Sequence, residues 1–347
     1  MAYLSDDNRA DQAIAVAGLE PVLGAVINGA KTDHGQTADY APVAVGAICG
    51  RNRHHATPHG RCDQGGVESM RPEKEASMLL RHKTIIVTGA SKGLGSAIAE
   101  MCAREGANVV LAARSVDKLK GVKRRIERRG GHSLVEPCDV GRLEDLRRLV
   151  DATVKRFRRI DGLVNNAGVN FVTPFLDTTE ADWDHIMDVD LKGSFFLTQL
   201  CARQMVRQRP GGGSIVQIAS VQTLASLPGA GPYDAAKHGM IGYSKAVAVE
   251  LARKNVRVNV LSPGLCRTEI WKDIVAAAPS ARECREFWNA NIPAERLVEP
   301  REIADACVFL LSDRSSSITG VNLVADCGMT SQLISREPYE AKPIKGK

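Results

Sequence analysis

The sequence contains no Cys-x-x-Cys pair, and its nine cysteines are scattered and odd in number. A chain of 347 residues buries a core without a disulfide framework, so reduced thiols and a cytoplasmic setting are expected. It also lacks a long apolar run, because the most apolar early stretch, residues 13–30, is interrupted by Glu20 and Pro21. Asp6, Asp7 and Asp11 precede that stretch against a single Arg9, which is the wrong charge for a secretory or mitochondrial leader. Neither sign of charge dominates: 46 basic and 40 acidic residues leave a net charge of +6. With no nucleic-acid motif and no membrane span, neither partner is expected. The densest basic run, residues 118–129, reads as a solvated helix face, with attraction of an anionic cofactor or partner as the alternative. No internal repeat of about 20–50 residues is present, which excludes solenoids and propellers.

What remains is the composition of an ordinary globular protein, 44% apolar and 25% charged. The character of the chain changes near residue 80. Residues 1–78 are rich in Gly, Ala, His and Arg without sustained period 2 or 3.6, and read as a disordered extension. An alternative places the natural start at Met70 or Met78. His54, His55, His59, Cys49 and Cys62 lie there, but their spacing fits no zinc pattern, so no metal is expected. Residues 79–330 form the expected domain and 331–347 a tail.

From residue 81 apolar runs alternate with helical stretches. Strands are predicted at 84–88, 108–112, 133–137, 162–165, 214–219, 257–261 and 322–324, and helices at 93–105, 116–129, 143–157, 180–208, 233–254 and 301–311. Such alternation predicts an α/β fold, a Rossmann-type doubly wound parallel sheet of about seven strands in a single domain. The two longest helices exceed what one side of a sheet needs and suggest packing against a second subunit.

The first strand, Thr84–Thr88, runs into Gly89, Ala90, Ser91, Lys92, Gly93, Leu94 and Gly95, and a helix opens at once. Glycines let a pyrophosphate approach the backbone, and a helix N-terminus offers unpaired N–H groups to it. The spacing is Gly-x-x-x-Gly-x-Gly rather than the Gly-x-Gly-x-x-Gly common in dinucleotide folds. A tight strand–helix turn with no ligand is the alternative. At the end of the second strand, where NAD-binding chains place an acid for the ribose 2′-hydroxyl, the run ends Ala112, Ala113, Arg114, Ser115. Arg114, with Lys92 as a second cation, suits a 2′-phosphate and predicts NADP(H) in preference to NAD(H). Two ordinary surface cations are the alternative.

Tyr233 and Lys237 lie four apart on a predicted helix, which puts them on one face. A free tyrosine titrates near about 10, and an adjacent ammonium favours the phenolate needed for proton exchange with an alkoxide. The alternative is a packed Tyr beside a solvated Lys. Ser220 ends the fifth strand at the carboxyl edge, where open sheets bind ligands, and a hydroxyl there can donate to a substrate oxygen as charge grows on it. A strand-end Ser that satisfies local backbone is the simpler reading.

Taken in order, these features resemble the short-chain dehydrogenase/reductase family over about residues 80–330. The matching marks are the glycine loop of residues 88–95, Asp139 and Val140 after strand three, and Asn165, Asn166, Ala167 and Gly168 after strand four. They continue with Ser220, Tyr233 with Lys237, Pro263 and Gly264 with Thr268, and the tail run of residues 292–297 followed by Glu302, Ile303 and Ala304. The resemblance implies that Tyr233 is the general acid in reduction and the base in oxidation. It implies that Lys237 acidifies it and holds the nicotinamide ribose, and that Ser220 polarises the carbonyl. Asp139 and Val140 would contact the adenine, Asn166, Ala167 and Gly168 would pass behind the cofactor, and Pro263, Gly264 and Thr268 would meet the nicotinamide.

One departure stands out. Where the family usually has an Asn, seven residues after Trp183, this chain has Asp190. An Asp keeps the main-chain role that the resemblance implies, and its carboxylate near Lys237 can raise the lysine pKa or reorder the water chain there, with an altered pH profile as the expected result. A smaller departure is Cys327, in Asp326–Cys327–Gly328, where the family often has a glycine.

Residues 169–176, 221–232 and 265–296 are the expected specificity segments. The last holds Trp271, Phe287 and Trp288, read either as an apolar lid or as an amphipathic helix packed on the body or a neighbour. The small apolar character of 221–232 argues against a highly charged substrate. The resemblance is greatest to reductases of 3-oxoacyl groups and to gluconate 5-dehydrogenase-like enzymes, and it implies a homotetramer. Gly239, Gly242, Ala246 and Ala248 would allow close helix packing. The competing reading is an NADP(H)-binding regulator or scaffold that has kept the fold without turnover.

Overall fold

β1 (Thr84–Thr88) is buried along its whole length, as a strand covered on both faces must be. The computed structural model describes residues 78–170 and 172–333. The expectations for residues 1–77, including the His/Cys cluster and Met70, and for residues 334–347 lie outside the described residues.

After β1 come α1 (Gly93–Arg104), β2 (Asn108–Ala113), α2 (Val116–Glu127), β3 (His132–Pro137), α3 (Leu143–Phe157) and β4 (Gly162–Asn165). The second half runs through α4 (Glu180–Ile186), a π turn (Met187–Lys192), α5 (Gly193–Arg207), β5 (Gly213–Ile218), α6 (Gly231–Leu251) and β6 (Val256–Pro263). It ends with α7 (Glu269–Ala277), α8 (Ala281–Ala290), α9 (Pro300–Leu311) and β7 (Asn322–Ala325).

The strands form one parallel seven-stranded sheet in the order β3-β2-β1-β4-β5-β6-β7. Successive side chains of a strand point to opposite faces. Ile85, Val87, Val109 and Leu111 therefore pack under α1, α2 and α9, meeting Ile98, Leu119, Val122, Ile303 and Val308. Ile86, Val110, Leu163, Ile215 and Val258 face the other way and pack under α3 and α5, meeting Leu146, Leu149, Leu197 and Met205. Strand order reverses between β1 and β4, and the crevice at their carboxyl ends is where such sheets take ligands.

Three segments depart from the sequence reading. The helix expected over 180–208 is interrupted by the π turn, which inserts between α4 and α5. Gly193, the first residue of α5, lies so close to the Val140 carbonyl that a Cβ has no room. The interruption therefore coincides with the closest approach of this layer to the loop after β3. α6 begins two residues earlier than expected, because Pro232 fits a first helical turn whose N–H groups need no intrahelical partner. The segment 265–296 is two helices rather than one element. Trp271 sits in a small core with Val275, Ile292 and Leu297, whereas Phe287 is 61% exposed. Trp271 is thus a packing residue, and Trp288 packs against the same small core.

Candidate active site

The carboxyl end of β1 is held to the loop after β4 by one hydroxyl. Thr88 Oγ1 donates to the Val164 carbonyl at 3.3 Å and accepts the N–H groups of Asn166 and Ala167, each at 3.0 Å. The Asn166 side chain returns a bond to the Thr88 carbonyl at 2.9 Å. This closure presses the glycine loop against residues 166 and 167. A Cβ at Gly89 would lie 2.8 Å from Asn166 Nδ2, and one at Gly95 would overlap the Gly89 carbonyl. Gly89 also has a φ of 64°, a conformation that only glycine adopts without strain. Gly95→Ala is accordingly expected to destabilise the fold by about 1–3 kcal/mol through overpacking. Thermal melting checks this.

Ser91, Gly93 and Leu94 lead into α1, whose first turn carries no acidic side chain. Its N–H groups and dipole are therefore open to an anion. Lys92 and Arg114 are both exposed, Lys92 at the N-cap of α1 and Arg114 just beyond β2. From the other side, Thr268 carbons and Glu269 Oε2 come within 3.6–3.8 Å of where a Gly93 methyl would stand, so the segment after β6 meets the glycine loop. Gly264, which follows Pro263, is pinned by its N–H to the Ala325 carbonyl at 3.0 Å. A methyl at 264 would lie 2.8 Å from Asp326 Cα. Asp139 closes the turn between β3 and α3. Its Oδ1 accepts the Gly141 N–H at 3.1 Å, and its own N–H donates to Asp145 Oδ2 at 2.9 Å.

Ser220 lies just past β5, in extended backbone and 8% exposed. Its Oγ accepts the Gln222 N–H at 3.1 Å and so caps the short 3₁₀ turn Val221–Thr223, which packs on α6. The local-backbone reading of this serine therefore holds, and it leaves the hydroxyl proton free to donate elsewhere. Tyr233 and Lys237 share the first turns of α6. The Lys237 ammonium lies 5.4 Å from the Tyr233 ring centroid and donates to the Ile218 carbonyl at 3.2 Å. It also lies 3.0 Å from Asp190 Oδ2, with both side chains buried. Asp190 Oδ1 accepts the Val169 N–H at 2.8 Å, in the loop that follows Gly168. Burial of Lys237 works against its charge, but the Asp190 carboxylate, joined by Tyr233, outweighs it and holds the lysine above its ordinary pKa.

A buried polar network beneath this site escaped the sequence reading. Asn165 Nδ2 donates to Gln217 Oε1 at 2.9 Å, to Thr198 Oγ1 at 3.0 Å and to the Ser194 carbonyl at 3.1 Å. Ser194 Oγ donates to the main chain of the π turn, at the Asp190 and Leu191 carbonyls, and accepts from Tyr243 Oη at 3.0 Å. The sequence signal was a polar residue inside an apolar strand, Gln217 between Val216 and Ile218. Thr88 gave a weaker signal, since a strand-end threonine is common.

Among the described residues no cluster of metal-ligating side chains occurs, and no helix is long and apolar enough to cross a membrane. A family profile described as enoyl-(acyl carrier protein) reductase matches residues 89–330. Dehydrogenase/reductase SDR family member 4 of Homo sapiens is 35% identical over 259 residues, covering 73% of this chain and 90% of its own. The 3-oxoacyl-(acyl-carrier-protein) reductase FabG of Thermotoga maritima is 36% identical over 254 residues, covering 73% and 99%. A solved structure from Agrobacterium tumefaciens, assigned as a 2-deoxy-D-gluconate 3-dehydrogenase with NADP bound, is 34% identical with a TM-score of 0.65, covering 74% of this chain and 99% of that one.

Proposed function

The chain belongs to the short-chain dehydrogenase/reductase family of oxidoreductases, and from that premise we propose that it interconverts a ketone and a secondary alcohol with NADP(H). The observation that carries this reading is the Tyr233–Lys237 pair at the sheet's carboxyl edge, with the ammonium buried and charge-stabilised.

The residues fit a dinucleotide. The close packing of Gly89 and Gly95 on Asn166 holds the glycine loop at the head of α1, whose first turn presents N–H groups to a pyrophosphate. Gly89, Ser91, Lys92, Gly93, Leu94 and Gly95 would hold the phosphates, with Arg114 and Lys92 on a 2′-phosphate. Asp139 and Val140 would hold the adenine, Asn166, Ala167 and Gly168 the back of the site, and Pro263, Gly264 and Thr268 the nicotinamide end. When bound, NADP(H) supplies or accepts the hydride.

This chain's own residues do the rest. Ser220 Oγ–H donates to the substrate oxygen and stabilises charge developing there. Tyr233 Oη gives its proton to that oxygen in reduction and takes it back in oxidation. Lys237 supplies positive potential beside the phenol and donors to the ribose. A screen of NADPH and NADH against ketoacyl thioesters, keto-sugars and cyclic ketones tests the reading. Turnover of one class with NADPH supports it, and tight NADPH binding without turnover across the panel favours the regulator reading.

Arg114→Asp is expected to lower the NADPH-to-NADH ratio of kcat/KM by about 10- to 100-fold, the worth of a lost charged hydrogen bond. Steady-state kinetics with the two cofactors check this; an unchanged ratio removes Arg114 from the 2′-phosphate. The same reading includes a homotetramer built through α5 and α6. Phe195 and Val249 are exposed apolar residues on those helices, and Met187, Leu191, Gly239 and Tyr243 line an apolar groove. It also places the protein in the cytoplasm, in keeping with seven free thiols among the described residues.

A further inference from the structure

We propose that Asp190 is a positioning residue whose carboxylate clamps the Lys237 ammonium to the main chain of the loop after β4, so that the lysine stays charged and fixed beside Tyr233 as conditions change. The clamp is built from both oxygens: Oδ1 takes the Val169 N–H at 2.8 Å, and Oδ2 faces Lys237 Nζ at 3.0 Å. Its surroundings are shaped to hold it. A Cβ on Gly168 would lie 2.8 Å from Asp190 Oδ2, so only glycine at 168 leaves the carboxylate in place. Behind it, the Asp190 carbonyl accepts from Ser194 Oγ at 3.1 Å, which fixes the π turn that aims the side chain inward. The lysine side chain is 4% exposed and the aspartate side chain 0%. An ammonium at such depth is expelled toward its neutral form unless a carboxylate accompanies it.

The charge on Lys237 answers to few groups. Its own helix brings the Tyr233 phenol, and the π turn brings Asp190. Of the same turn, half-buried Asp188 pairs with exposed Lys192 at 2.9 Å. β5 contributes the Ile218 carbonyl, and the turn Val221–Thr223 has no titratable side chain. β6 carries Arg257, which is spent on the Leu310 and Ser312 carbonyls. Removing the Asp190 carboxylate therefore leaves burial as the dominant influence among the described residues, and burial lowers the lysine pKa.

The test reads the lysine directly. In carbon-13 lysine-labelled full-length protein, with the Lys237 resonance assigned through Lys237→Arg, the wild-type signal should not titrate below the ordinary lysine range. In Asp190→Asn its midpoint should fall by at least about one pH unit. Equal midpoints in the two proteins overturn the proposal. If Asp190→Asn does not fold, a wild-type lysine titrating below its ordinary range overturns it equally. The catalytic consequence rests on the oxidoreductase reading. Alcohol oxidation by the wild type should hold its plateau at alkaline pH, while Asp190→Asn should gain a falling limb there. The resonance titration needs no turnover, so a failure of the proposed activity and a failure of the clamp give different results.

Discussion

Tyr233→Phe is expected to lower kcat/KM for carbonyl reduction by about 10²–10⁴-fold, the usual worth of a positioned general acid. The fold should barely notice. Tyr233 is half-buried, and its hydroxyl has no hydrogen-bond partner among the described residues, so nothing in the protein is left unsatisfied when it goes. Stability should stay within about 0.5 kcal/mol of the wild type. Cofactor affinity should also persist, because the glycine loop and the first turn of α1 are untouched. A stopped-flow rate together with a denaturant melt checks both halves. A large loss of rate accompanied by a large loss of stability would mean the phenol is a packing group, and the acid–base assignment would fall.

Lys237→Met is expected to fail on both counts. The methylene stem is replaced by one of similar volume, but among the described residues the Asp190 carboxylate is left buried with only the Val169 N–H against it. Breaking a buried pair from one side costs about 3–5 kcal/mol, most of it the desolvation of the group left behind. The double variant Lys237→Met with Asp190→Leu removes both charges, and should recover most of that stability while regaining no activity. This cycle separates two roles that a single substitution confounds. Recovery of stability without turnover assigns the ammonium to the chemistry and the pair to its own electrostatic balance. Failure of the double variant to recover would show that packing around the π turn, rather than charge, dominates the cost.

Both expectations draw on residues that were readable in advance to different degrees. Tyr233 and Lys237 were legible because four residues is close to one helical turn, and α6 does form over them. The strand runs were legible because a parallel strand is apolar on both faces. Lys92 and Arg114 were legible as exposed cations at the ends of local elements.

Less was readable where the signal is not local. A continuous helix over 180–208 was the natural expectation, since no Gly or Pro interrupts Met187 to Lys192. The π turn arises where α5 is drawn against Val140 through Gly193 and is fastened by Ser194. Trp271 and Phe287 looked alike in the segment after β6, yet one is buried and the other exposed, because each sits on a separate short helix with its own contact face.

Sequence alone determined the class of fold, the order of strands along the chain, the helices outside residues 180–208 and 265–296, and the turn that brings a tyrosine and a lysine together, because hydrophobic period and helical pitch act over a few residues. Tertiary structure alone decided that Asp190 also takes the Val169 N–H, and that Thr88 closes on Asn166. Those contacts join segments far apart in the chain, and their electrostatic worth exists only once packing has excluded water from between them.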